Sequence, residues 1–147
     1  DLAYGVEVIR MIYDAFSNCS FDVIIGSRNL GKDGYEGYSP LRKIASKVYI
    51  QTLCIVGGFS LSDSQCGFKA FTKEAVQKIF PYCQTDGFAF DFEAILIAGR
   101  QKLKIGEFPV KIINHRASKI HVLSDSFKML GDLRRIKKHV RSLSLGE

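Results

Sequence analysis

The run Phe21-Asp22-Val23-Ile24-Ile25-Gly26 constrains this chain more than any other stretch. It is short and β-branched, follows polar Asn18 and Ser20, and stops at a glycine, which is the pattern of a buried strand. Upstream, between Gly5 and Asn18, the residues Val6, Ile9, Ile12, Tyr13 and Phe16 recur at helical spacing and predict a helix with one apolar stripe. Downstream, residues 27–40 hold Gly31, Gly34, Gly37 and Pro40 among polar neighbours. They predict a long loop, of a length that compact domains usually keep for lids or ligand binding.

The rest of the chain repeats this alternation. Ser39 as N-cap and Pro40 at the first helical position predict a helix through Arg42, Ile44, Val48 and Leu53 to a stop at Gly57-Gly58. Residues 67–71 alternate as a strand does, and Thr72 caps a short helix from Lys73 to Ile79. Phe88 to Leu103 reads as a helix with an apolar body in Phe92, Ile95, Leu96, Ile97 and Ala98. Lys104 to Asn114 reads as a strand whose Pro109 demands an edge position or a bulge. A polar loop from His115 to Lys119 and a helix from Ser124 to Leu143 complete the order. The class is α/β, expected as one domain over residues 1–147. Its few strands against many helices suit a portion of a larger sheet better than a free-standing one.

Composition narrows the class further. With 147 residues, 46% hydrophobic, the chain can bury a core without disulfides or metals. Cys19, Cys54, Cys66 and Cys83 are irregularly spaced with no Cys-x-x-Cys pair, so they read as reduced, mostly buried thiols. The longest apolar tract, Val48 to Phe59, is interrupted by Gln51 and Thr52 and falls short of a membrane span. Asp1-Leu2-Ala3-Tyr4 lacks the basic start of a signal peptide and looks like the start of a fragment. The net charge of +6 favours anionic partners. Much of it lies between Arg134 and Arg141, either a solvated helix face or a contact with anionic lipid. Nucleic acid is not expected as a partner, because Phe21, Phe68, Phe88, Phe90 and Phe92 occupy core-like positions and do not interleave with basic residues.

Three polar groupings interrupt the apolar pattern. Arg28 follows the central strand, at the end where α/β sheets bind ligands, and Arg42 and Ser46 lie one turn apart on the next helix. Two arginines and a hydroxyl near a helix start can hold a phosphate through charge-assisted bonds. The competing reading pairs both arginines with surface carboxylates such as Asp33 or Glu36. The second grouping, Asp63-Ser64-Gln65-Cys66-Gly67, can line a sugar pocket or simply turn into a strand. In the third, Asp91 and Glu93 begin a helix, where acidic residues suit the dipole, or one of them faces a site. A donor-rich loop, Asn114 to Lys119, can close over a pyrophosphate.

In order, these pieces resemble the C-terminal portion of family 2 glycosyltransferases with a GT-A fold. Within that family they resemble the dolichyl-phosphate mannose and glucose synthases and their bacterial polyprenyl-phosphate relatives. The matching residues are Asp22 to Arg28, Arg42 with Ser46, Asp63 to Phe71, Phe90 to Glu93, and Glu107 to Val110 leading to Ser118-Lys119. The resemblance implies inverting transfer of a hexose from a UDP- or GDP-sugar to a polyprenyl phosphate, dolichyl or undecaprenyl. It implies that Arg28, Arg42 and Ser46 hold the acceptor phosphate and that Asp63 and Gln65 floor the sugar site. Asp91, with Glu93, would orient arginines or the acceptor helix. Arg116 and Lys119 would meet the donor pyrophosphate. Asp1 would be the last aspartate of an Asp-x-Asp motif for a divalent metal, Mg2+ or Mn2+, although Ala3 stands where some relatives carry a metal-contacting glutamine. The nucleotide-binding half would then lie upstream, and the setting would be the cytoplasmic face of a membrane, reached through the basic tail. Two alternatives stay open: a saccharide acceptor with Asp63 as base, and a non-catalytic fragment that binds lipid phosphate or another anion.

Overall fold

A computed structural model describes residues 3–113 and 122–144 of the chain. The order is α1 (Glu7–Asn18), β1 (Val23–Ser27), α2 (Pro40–Gly57), β2 (Lys69–Phe71), α3 (Lys73–Ile79), α4 (Phe90–Arg100), β3 (Ile105–Pro109) and α5 (Val122–Ser142). The strands form a mixed three-stranded sheet in the order β2-β1-β3. β1 runs antiparallel to β2, pairing Val23 with Phe71, and parallel to β3, pairing Val23 with Ile105 and Ser27 with Pro109.

β1 is central and buried along its whole length, as its unbroken apolar run requires of a strand covered on both faces. Val23 and Ile25 point into the larger core, which α2, α3, α4 and α5 close with Leu53, Ile79, Phe92, Ile97, Leu133 and Ile136. Ile24 points the other way and packs on Ile12 and Ala15 of α1. Phe92 has no exposed surface at the heart of the larger core. Truncating a side chain of that size in such a place costs about 3–5 kcal/mol.

Local signals set the helix ends. The Ser39 hydroxyl accepts from the Arg42 N–H at 3.3 Å, and Thr72 accepts from the Ala75 N–H at 3.2 Å. Gly58 adopts the left-handed conformation at φ 75° and ends α2, its N–H donating to the Cys54 carbonyl. Several boundaries differ from the sequence reading, three of them with a local cause. Residues 87–89 form a separate 3₁₀ turn before α4. α4 itself stops at Arg100, because Lys102 turns left-handed at φ 56° and the Leu103 N–H folds back to the Ala98 carbonyl. β3 ends at Pro109 and does not reach residue 114, since proline has no N–H to extend the ladder. Pro109 does stand on an edge strand of the described sheet.

Two expectations about packing also change. The α1 stripe is only partly used: Ile12 is buried, while Val6, Ile9 and Tyr13 are exposed. The Ile24 face of the sheet offers α1 a small cluster, too narrow to cover them all. Of the cysteines, Cys54 and Cys66 are buried, Cys83 is half-buried and Cys19 is exposed. No helix among the described residues is long and apolar enough to cross a membrane.

Candidate functional site

The site lies at the C-terminal end of β1. The chain leaves the strand at Ser27 and turns, and Gly34 then packs directly on the Arg28 backbone. A Cβ on Gly34 would stand 2.1 Å from the Arg28 carbonyl oxygen, so only glycine lets the loop return this closely. The loop thereby brings Tyr35 and Tyr38 alongside the strand end.

Arg28 is gripped by Asp63. Its Nε donates to Oδ2 at 2.6 Å, its Nη2 to Oδ1 at 2.8 Å, and its backbone N–H to Oδ2 at 3.1 Å. The Asp63 side chain has no exposed surface and that of Arg28 is 12% exposed. Burial opposes the guanidinium charge, but the hydrogen bonds and charge of Asp63 outweigh it and hold Arg28 above its ordinary value. Arg28 therefore pairs with a buried carboxylate, and not with Asp33 or Glu36. Those two accept an ion pair from Lys111 instead.

A second carboxylate holds the first in place. Glu107, on β3, accepts from the Ser62 N–H at 2.8 Å, the Ser62 hydroxyl at 2.7 Å and the Asp63 N–H at 3.2 Å. The Ser27 hydroxyl lies 2.5 Å from the Ser62 hydroxyl, and the Asn29 N–H donates to Ser27 at 3.2 Å. With Ser62 donating to Glu107, the proton order runs from Asn29 through Ser27 and Ser62 to Glu107. This network pins the turn that carries Asp63 to the ends of both β1 and β3.

Aromatic rings connect Arg28 to α2. The Arg28 guanidinium lies 5.3 Å from the centre of the Tyr35 ring, and Tyr35 meets Tyr38 edge-on at 5.6 Å. Arg42 lies 4.2 Å from the centre of the Tyr38 ring. One turn along α2, the Ser46 hydroxyl is 3.5 Å from the Tyr35 hydroxyl. Arg28 and Ser46 thus each meet Tyr35, and Arg42 meets the adjoining Tyr38. Tyr35, Tyr38, Ser62 and Glu107 were not singled out from the sequence. The tyrosines had a usable signal in their spacing between two glycines and two arginines. Glu107 stood inside the family-like stretch Glu107-Phe108-Pro109-Val110 without an assigned part.

The remaining candidates have other partners. In the two residues after Asp63, Ser64 Oγ and Gln65 Nε2 are buried without a hydrogen-bond partner, so Gln65 holds an unspent donor. Asp91 is 3.2 Å from the Lys69 ammonium, which also donates to the Cys66 carbonyl at 2.6 Å and so links α4 to the Asp63–Cys66 turn. Glu93 is fully buried and accepts from the Gln84 and Thr85 N–H groups at 3.0 and 2.8 Å, which ties it to the turn before α4. Tyr4 packs edge-on against Phe68, with its hydroxyl 3.4 Å from the Cys66 sulfur. Burial raises both of these groups above their ordinary values. Asp1, Arg116 and Lys119 lie outside the described residues.

The metal ligand expected from the sequence, Asp1, is not among the described residues. No three His, Cys, Asp or Glu side chains among them converge as a cation would require. Asp63 is spent on Arg28, and Glu107 on the Ser62–Asp63 turn.

What these elements define is an α/β protein in which two guanidinium groups and a hydroxyl line a tyrosine pair beside the C-terminal end of β1. The chain is homologous over part of its length to family 2 glycosyltransferases of the dolichyl-phosphate kind. It is 42% identical to the dolichyl-phosphate beta-glucosyltransferase of Saccharomyces cerevisiae over 83 residues, 56% of this chain and 25% of that one. With the protein of the same name from Dictyostelium discoideum it shares 37% over 90 residues, 61% of this chain and 27% of the relative. With the UDP-N-acetylglucosamine–dolichyl-phosphate N-acetylglucosaminyltransferase of Methanococcus voltae it shares 28% over 113 residues, 77% of this chain and 45% of that one. The chain thus spans from a quarter to less than half of these relatives. No family model matches the chain, and no solved structure matches it.

Proposed function

We propose that this chain supplies the acceptor side of a GT-A glycosyltransferase domain that moves a hexose from a UDP- or GDP-sugar to a polyprenyl phosphate. The observation that supports the reading is that Arg28 and Ser46 both meet Tyr35 while Arg42 meets the adjoining Tyr38, beside the end of β1. The acceptor named in the relatives, dolichyl phosphate, supports it.

In this reading the acceptor phosphate sits against Arg42 and Ser46, with the Arg28 edge not taken by Asp63 turned toward it. One phosphate oxygen attacks the anomeric carbon. A new carbon–oxygen bond forms as the bond to the leaving nucleoside diphosphate breaks, and the electron pair departs with that diphosphate. Configuration inverts. A phosphate oxyanion is ionised at neutral pH, so the step needs no general base. Asp63 is then a positioning residue that fixes Arg28, and Glu107 holds Asp63. Gln65 offers its unspent amide N–H to a sugar or acceptor oxygen. Arg116 and Lys119 as pyrophosphate contacts, Asp91 as an orienting carboxylate, and Asp1 with Mg2+ or Mn2+ belong to the same proposal. So do a location at the cytoplasmic membrane face and a membrane contact through α5, whose Arg134, Lys137, Lys138 and Arg141 line a groove of about 270 Å³ beside Val56.

A saccharide acceptor would need a base to take a hydroxyl proton. Asp63, buried and spent on Arg28, is poorly placed for that task, which favours the phosphate acceptor. The test is steady-state kinetics of the intact enzyme. Arg42→Ala is expected to raise the acceptor KM at least tenfold with little change in donor KM, and an unchanged acceptor KM contradicts the assignment.

A further inference from the structure

Lys69 is a buried cation on a strand. It stands opposite Ile25 in the β1–β2 ladder, so it shares the face of the sheet that α4 covers. Its side chain is only 7% exposed, and lysines are almost never buried without a partner. Lys69 has two. Its ammonium donates to the Cys66 carbonyl at 2.6 Å and pairs with Asp91, at the start of α4, at 3.2 Å. An apolar side chain would fill this position at a lower desolvation cost, so the charge calls for a purpose other than packing.

What Lys69 holds supplies that purpose. Cys66 ends the turn that Asp63 begins, its N–H closing on the Asp63 carbonyl at 3.3 Å. Glu107, from β3, grips the near end of the turn through the Ser62 and Asp63 N–H groups. Lys69, from β2, grips the far end through the Cys66 carbonyl. Charged groups from the two strands that flank β1 therefore fix the turn at both ends. Its middle residues are the ones left over: Ser64 Oγ and Gln65 Nε2 are buried with no hydrogen-bond partner. A turn built only for stability satisfies such atoms, because each orphan costs free energy. A turn held at its ends, with polar atoms unspent between them, is preorganised for a ligand.

We infer that Lys69 is a positioning residue for the proposed transfer: held by Asp91, it fixes the far end of the turn and so aims the Gln65 amide at the substrate. The inference rests on the proposed role of Gln65 and extends it to residues that touch no substrate themselves. Asp91 acts one step further back, as the counter-ion that keeps the Lys69 ammonium buried.

The test is a double-mutant cycle in the intact enzyme between Lys69→Met and Gln65→Ala, read as kcat/KM for the acceptor. Each single variant is expected to lose about tenfold or more, since a small misplacement of a substrate-positioning group is costly. If Lys69 acts through Gln65, adding Lys69→Met to Gln65→Ala should cost less than about twofold more. A residue that merely supports the fold gives losses that multiply. Should Lys69→Met fail to fold, the same cycle with Asp91→Asn, at a side chain 29% exposed, decides the question. Multiplying losses, or full activity in Lys69→Met, overturn the inference and leave the role of Gln65 in place. A fully active Gln65→Ala variant removes that role and the inference with it. Neither result bears on Arg42, whose own variant tests the acceptor phosphate.

Discussion

Arg28 and Asp63 share a forked ion pair at 2.6 and 2.8 Å in which the carboxylate has no exposed surface. A buried charge stripped of its partner is far costlier than the intact pair is favourable. Asp63→Ala is therefore expected to destabilise the fold by about 3–5 kcal/mol, read by urea unfolding. The double variant Arg28→Met/Asp63→Leu should recover much of that loss. A single-variant loss under about 1 kcal/mol would mean that solvent reaches the pair, against its burial.

Glu107 should matter through Asp63. Glu107→Ala leaves the Ser62 and Asp63 N–H groups without their acceptor, a cost of about 1–3 kcal/mol. In the intact enzyme the same variant should raise the acceptor KM, because Arg28 loses its fixed orientation, while Glu107→Gln should retain part of the effect. If Glu107→Ala lowers stability but leaves the acceptor KM unchanged, the clamp is structural only.

The sequence made local features legible and left long-range ones hidden. Ser39, Thr72 and the Val23-Ile24-Ile25 run declare themselves because a cap or a buried strand is written within a few residues. Arg28, Arg42 and Ser46 stood out in the sequence because a strand end and a helix start carry them. The Arg28–Asp63 pair joins residues 35 apart, and Glu107 reaches across 45 to Ser62, so neither partner choice could be read from spacing. The left-handed Lys102 was equally invisible, since lysine gives no turn signal. α1 misled for a different reason. Its stripe is helical, but the sheet face beneath it is too small to cover all of it.

Thiol chemistry reports the packing directly. Burial, with Glu93 nearby, pushes Cys83 up to about 12, and burial also raises Cys66. A raised value keeps the protonated, unreactive thiol throughout neutral and mildly alkaline pH and delays the thiolate until the pH approaches the raised value. Cys19 is exposed and Cys54 buried. Titration with a disulfide reagent at pH 8 is expected to show one fast thiol, lost in Cys19→Ser, and three more only on unfolding. Two or more fast thiols would contradict the packing around Cys66 and Cys83.

The central claim is that Arg28, Arg42 and Ser46 hold a lipid phosphate. Its most direct test is thermal unfolding of the chain with a short-chain, water-soluble polyprenyl phosphate at fixed salt, for wild type, Arg42→Ala and Ser46→Ala. At about one hundred times its Kd the ligand should stabilise the wild-type fold by about 2.7 kcal/mol, a shift of a few degrees in Tm. Loss of charge-assisted bonds should make Arg42→Ala bind about ten- to a hundredfold more weakly and remove most of that shift. A wild-type shift that Arg42→Ala abolishes and Ser46→Ala reduces is the predicted result. No wild-type shift, or an equal shift in Arg42→Ala, would contradict the account.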